Sequence, residues 1–146
     1  MKSVHKSVLI WYSAEQMFGL VTDVESYPQF LPWCDTSGVL TRDAQGMQAK
    51  VGISFGGIRQ TFTTRNDHTP GRQVDMRLVD GPFSMLEGHW RFTPVGSDEE
   101  GACKVELKLD YAFRSTTLAA LVGPVFDKIA GSLVDAFVKR AEQVYG

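Results

Sequence analysis

Three histidines (His5, His68, His89) and two cysteines (Cys34, Cys103) are the residues of this chain best suited to acid–base, metal or nucleophilic chemistry. A zinc or acid–base site needs several such groups converging at fixed spacing, and here they are scattered singly. His89 shares a strand face with Glu87 and Arg91, opposite Trp90 and Phe92, so it is expected to face solvent. His68 falls in the turn-rich stretch Asp67-His-Thr-Pro-Gly71. Cys34 has no histidine or other base near it in sequence and reads as a small buried apolar group. Gly56-Gly57 marks a turn and lacks a phosphate-loop pattern. No inward pair of carboxylates stands out, so the chain is expected not to be an enzyme and to need no metal or cofactor.

What converges instead is apolar. Phe30, Leu31, Trp33, Phe55, Phe62, Met76, Leu78, Trp90, Phe113, Val122, Phe126, Ile129 and Leu133 all point to one interior on the registers below. Two arrangements satisfy them: mutual packing in a closed core, or the walls of a ligand cavity.

The elements that must hold them are led by the last third of the chain. From Thr116 to Tyr145, apolar residues recur at helical spacing: Leu118, Leu121, Val122, Val125, Phe126, Ile129, Ala130, Leu133, Ala136, Phe137, Ala141 and Val144. Pro124, Asp127, Lys128, Asp135 and Glu142 fall opposite, and Gly123-Pro124 predicts a kink or break. The stripe exceeds the ~100° that one packed face requires. Upstream, Val4 to Trp11 reads as a strand, and Ser13-Ala-Glu-Gln16 has capping-box spacing. A second short helix is expected with Ser26 as cap and Pro28 in its first turn.

Six strands then follow. Val39–Arg42 and Met47–Phe55 form a hairpin, and Gly56-Gly57 turns the chain into Ile58–Asn66. Arg72–Val79, Phe83–Phe92 and Cys103–Phe113 complete the run, with a loop through Gly96–Gly101 before the last. Val105, Leu107, Leu109, Tyr111 and Phe113 alternate with charged neighbours, the mark of an antiparallel strand with one wet face. A single α+β domain over residues 1–146 results: an antiparallel sheet with a long helix lying across it.

Composition narrows the class further. The apolar share of 43% and charged share of 22% suit a folded globular domain. No apolar run approaches the ~18 residues of a membrane span, and the start shows no signal-peptide pattern. The cysteines are expected to be free and buried, in keeping with the cytoplasm. A net charge of −2 gives no global attraction for nucleic acid, so no DNA partner is expected.

Tyr12-Ser-Ala-Glu-Gln-Met-Phe18 and Asp23-Val-Glu-Ser-Tyr-Pro-Gln-Phe-Leu-Pro-Trp-Cys34 resemble the opening of a known family. Asp80-Gly-Pro-Phe83, Gly88-His-Trp-Arg-Phe92 and Val134-Asp-Ala-Phe-Val-Lys-Arg-Ala141 continue the likeness. The family is the START-like (START/Bet v 1-like) helix-grip proteins of the coenzyme Q-binding protein and the bacterial ribosome association toxin. The resemblance implies a curved antiparallel sheet wrapped on a C-terminal helix and enclosing an apolar tunnel. Cyclases of the same fold would need polar groups in the cavity, and the inward positions here read mostly apolar.

Two functions follow from the resemblance. One is binding of a hydrophobic small molecule, with ubiquinone or another polyprenyl quinone as ligand, in support of respiration. That reading allows peripheral contact with the inner membrane. The other is binding to the large ribosomal subunit, which blocks its union with the small one. A basic outer face would serve the second, and Lys50, Arg59, Arg65, Arg77, Arg91, Lys104 and Lys108 fall opposite the apolar positions. Asp75, Glu87, Glu106 and Asp110 share that face, which also fits an ordinary mixed surface.

Overall fold

The computed structural model describes residues 1–96 and 101–146; the interior of the expected Gly96–Gly101 loop lies outside the described residues. Strand β1 (Lys2–Ile10) leads into α1 (Ala14–Thr22) and a 3-10 helix (Val24–Gln29). A meander follows: β2 (Cys34–Asp43), β3 (Gly46–Phe55), β4 (Ile58–Thr69), β5 (Gln73–Asp80), β6 (Phe83–Pro94) and β7 (Cys103–Phe113). The long helix α2 spans Thr116–Tyr145, the range its periodicity predicts.

The seven strands among the described residues form one antiparallel sheet in the order β1-β7-β6-β5-β4-β3-β2. Irregular pairings at Cys34/Thr36, Val39/Thr41, Thr63/Thr64 and Phe83/Met85 bend the strands and let the sheet curve around α2. Gly56 and Gly57 have φ of 56° and 83°, the two positive values that a tight β3–β4 hairpin turn demands.

Local signals explain most boundaries. Ser13 accepts from the Gln16 amide at 3.1 Å while Gln16 accepts from the Ser13 amide at 2.9 Å, so the capping box forms. Ser26 does not cap a helix. The 3-10 helix starts two residues earlier, and the Ser26 hydroxyl donates to Asp23 at 2.6 Å from inside it. β4 runs on through Thr69, which puts His68 in a strand, not a turn.

Along α2, Val122, Phe126, Ile129, Ala130, Val134, Phe137 and Ala141 are buried against the sheet. Each large side chain removed from water contributes about 1.5–3 kcal/mol, so this stripe outweighs the helix's modest intrinsic propensity. Leu121 and Val144 remain 57% and 47% exposed, so the broad stripe is only partly absorbed. The helix is continuous through Pro124, so of the expected kink or break there is no break. Pro124 and Ala120 both lie on the exposed side, where water can satisfy the carbonyl that the proline leaves unpaired. By length and mean composition α2 is long and apolar enough to cross a membrane, but Asp127 and Lys128 interrupt its apolar run and its buried stripe packs onto the sheet.

Candidate functional site

Between the sheet and α2 lies a cavity of about 80 Å³. The sheet contributes Ala49, Val51 and Ile53 from β3, Phe62, Thr64 and Asn66 from β4, Met76 from β5, Leu86 and Trp90 from β6, and Leu109 from β7. α2 contributes Phe126, Ile129, Ala130, Leu133 and Phe137, and Val24, Tyr27 and Trp33 close one side.

Seven of the expected lining residues reach this wall: Trp33, Phe62, Met76, Trp90, Phe126, Ile129 and Leu133. The others do not. Leu31 and Val122 are buried in the packing behind it, and Leu78 and Phe113 flank the aromatic cluster around Phe83. Phe30 lines an open surface groove beside Lys139 and Arg140, with the Arg140 guanidinium 4.9 Å from its ring centre. Phe55 is 51% exposed: the alternation that buries Val51 and Ile53 carries past the core at the strand's last residue.

The cavity also carries polar residues that the apolar pattern of the sequence does not single out. Thr64 and Asn66 are each 6% exposed, and the Thr64 hydroxyl donates to Asn66 Oδ1 at 2.7 Å. Tyr27 also faces the cavity, but its hydroxyl donates to the Val21 carbonyl. Parity along β4 is the signal that finds the pair, since Phe62, Thr64 and Asn66 alternate onto one face.

His68 follows in the same parity and packs edge-on against Phe18, ring centres 5.6 Å apart. Its Nε2 is buried with no hydrogen-bond partner among the described residues. Burial, then the Arg65 and Arg42 charges, push its pKa below the ordinary histidine value. A lowered folded-state pKa means that the unfolded chain takes up the proton first. Stability is therefore full above about pH 6.5 and falls as pH drops below that value toward the folded pKa. Urea midpoints at pH 7.5 and 5.5 should show this loss in the native chain and a flatter response in His68→Phe. An equal loss in both would remove His68 from the account.

On α2, Asp127 is not the idle surface residue its position suggests. It accepts from the Tyr111 hydroxyl at 2.5 Å and pairs with Lys2. Burial opposes its ionisation, yet the Lys2 and Tyr111 hydrogen bonds outweigh burial and hold its carboxyl below the ordinary range. The contact ties β1, β7 and α2 together at their shared edge. Cys34 and Cys103 are free and buried, and burial pushes both thiols up to about 11, so neither is a ready nucleophile. His89 is exposed and bonds Asp75 at 2.7 Å. No group of histidine, cysteine and carboxylate side chains suited to a metal occurs among the described residues.

The outer face of the sheet carries the basic residues as expected, but acids that the sequence reading did not pair neutralise several of them. Arg59 meets Asp35 at 2.8 Å, Arg65 meets Asp43 and Asp67 at 2.7 and 2.9 Å, and Arg77 meets Asp67 at 2.8 Å. The Arg65 hydrogen bonds hold both of its aspartates below the ordinary carboxylate range. Lys104 meets Glu106 at 3.4 Å. Lys50, Arg91 and Lys108 are exposed and form no ion pair among the described residues.

Residues 10–138 match the family described as polyketide cyclase/dehydrase and lipid transport. The chain belongs to that family. Its START-like branch is shown by the similarity of individual members. The ribosome association toxin RatA of Vibrio cholerae serotype O1 is 49% identical over 146 residues, covering 100% of this chain and 99% of that one. The mitochondrial coenzyme Q-binding protein COQ10 homolog B of Xenopus laevis is 31% identical over 97% of this chain and 58% of its own length. The Zhui aromatase/cyclase of Streptomyces sp. R1128 superposes with a TM-score of 0.80, covering 99% of this chain and 96% of that one. At 18% identity, that likeness shows the helix-grip fold alone. The two named relatives above are a toxin and a binding protein, whereas this structural neighbour is an enzyme.

Proposed function

We propose that this protein acts on ribosomes as an association toxin, binding the large subunit and keeping the small subunit from joining it. The observation that carries this reading is the 49% identity to RatA along the full length of both chains. The interior points the same way: about 80 Å³ is well below the ~300–1,000 Å³ of small-molecule sites, so a tailed quinone would need the core to open. On the outer face, exposed Lys50, Arg91 and Lys108 supply charge for rRNA phosphates, and such contacts weaken with salt. The site of action on this reading is the cytoplasm.

Overexpression followed by sucrose-gradient sedimentation should shift joined ribosomes to free subunits. Charge reversal at Lys50, Arg91 and Lys108 should restore the joined peak without unfolding the protein. A native-chain profile that matches the uninduced cells would contradict the proposal.

A second reading, binding of a hydrophobic small molecule such as a quinone, is favoured by the enclosed apolar wall of Phe62, Trp90, Phe126 and Phe137. It would use the interior while ribosome binding uses the outside, with ligand exchange at the inner-membrane surface. Organic extraction and mass spectrometry of purified protein should then release a prenyl quinone or lipid, and protein free of either would count against it.

A further inference from the structure

We propose that Asn66, with its side-chain oxygen held by Thr64, is the polar anchor of the cavity, selecting a small neutral ligand that bears a carbonyl-type oxygen. This rests on the hydrophobic-ligand reading and adds the ligand's chemical class and orientation.

Residues Thr64 and Asn66 stand two apart on β4 and so present both side chains to the same inward face. Burying two polar groups in an apolar wall costs free energy unless each is hydrogen-bonded. The Thr64 hydroxyl satisfies Asn66 Oδ1 at 2.7 Å, whereas the amide nitrogen has no partner among the described residues. It is not sealed in the packing, since His68 Nε2 is the side-chain atom that is buried and unpaired among those residues. Asn66 lines the cavity at 6% exposure, so the surface left to its amide is cavity surface. With one lone pair of the oxygen taken by Thr64, both N–H donors of the amide are unused, and their complement is an acceptor.

The rest of the wall sets the other requirements. Among the described residues no lysine, arginine or histidine lines the cavity, so a carboxylate or phosphate would be buried without a counter-charge. A neutral ketone, quinone or ester oxygen meets no such cost. Away from Asn66 the wall is Ile53, Phe62, Leu86 and Phe126, which places the apolar part of the ligand there. The cavity is tight, but the unbranched Met76 beside Asn66 on the neighbouring strand can change rotamer to admit a single ring.

Acetophenone and α-methylstyrene form a matched pair of probes that differ only in C=O against C=CH₂. Their affinities are read by NMR titration of the full chain. Because the two differ in their own hydration, the informative quantity is the ratio of their Kd values in the native chain compared with a variant. In Asn66→Leu that ratio should shift about tenfold toward α-methylstyrene, the value of one well-made buried hydrogen bond. Thr64→Val, which removes the group holding Asn66 in place, should shift it the same way by about threefold and serves if the leucine variant does not fold. Binding of both probes with a ratio unchanged by either variant overturns the anchor and leaves the cavity reading intact. Failure of the native chain to bind either probe overturns the cavity reading and the anchor with it.

Discussion

Phe126→Ala is expected to cost about 3–5 kcal/mol of stability, lowering Tm by roughly 10 °C. Phe126 is 4% exposed at the centre of the aromatic cluster. Its ring meets Tyr111 at 4.6 Å, Phe83 at 4.9 Å, Phe113 at 6.2 Å and Phe62 at 6.4 Å between ring centres, all edge-on. Truncation loses the transfer free energy of the ring and leaves a void between rigid aromatic neighbours that cannot collapse to fill it. Phe55→Ala is the contrasting case. The same change at a residue 51% exposed should stay within about 0.5 kcal/mol. Urea unfolding of both variants checks the pair, and similar losses would contradict this placement of the core.

Gly46→Ala should be comparably damaging for a different reason. A Cβ at Gly46 would stand 1.9 Å from the Asn66 carbonyl oxygen, 3.0 Å from its carbon and 3.1 Å from Asp67 Cα. These are backbone atoms of the paired strand β4, so no side-chain rotation relieves the clash. The β3–β4 ladder must separate locally, at a cost of about 3 kcal/mol or more. Gly38→Ala in β2, where an added Cβ meets nothing within 4 Å among the described residues, should be nearly neutral. The measurement is again the denaturation midpoint, and a mild Gly46 variant would show that the strands part more easily than the packing implies.

The elements with strong periodicity were legible from the residues alone. The stretch 103–111 alternates at every step, and Thr116–Tyr145 holds its stripe for the whole helix, so both elements emerge with their observed bounds. Strand ends were harder. Alternation places Phe55 inside, but it has no knowledge of where the core stops, and the strand outruns it by two residues, Ser54 and Phe55. Residue type misled at Thr64, Asn66 and His68, where polarity outweighed a parity shared with Phe62. The acids that neutralise Arg59, Arg65 and Arg77 come from strand pairing and side-chain reach, which a single sequence does not display. Likewise Asp127 sits on the polar side of the helical wheel and gains its partners only when α2 lies against Tyr111 and Lys2.

The proposed function meets its most direct test with purified components. Large and small ribosomal subunits are mixed with a molar excess of this protein, their joining is followed by light scattering, and the mixture is then sedimented. The expected result is a concentration-dependent loss of joining, with the protein travelling with the large subunit. Full joining at every concentration, with the protein left at the top of the gradient, would contradict it.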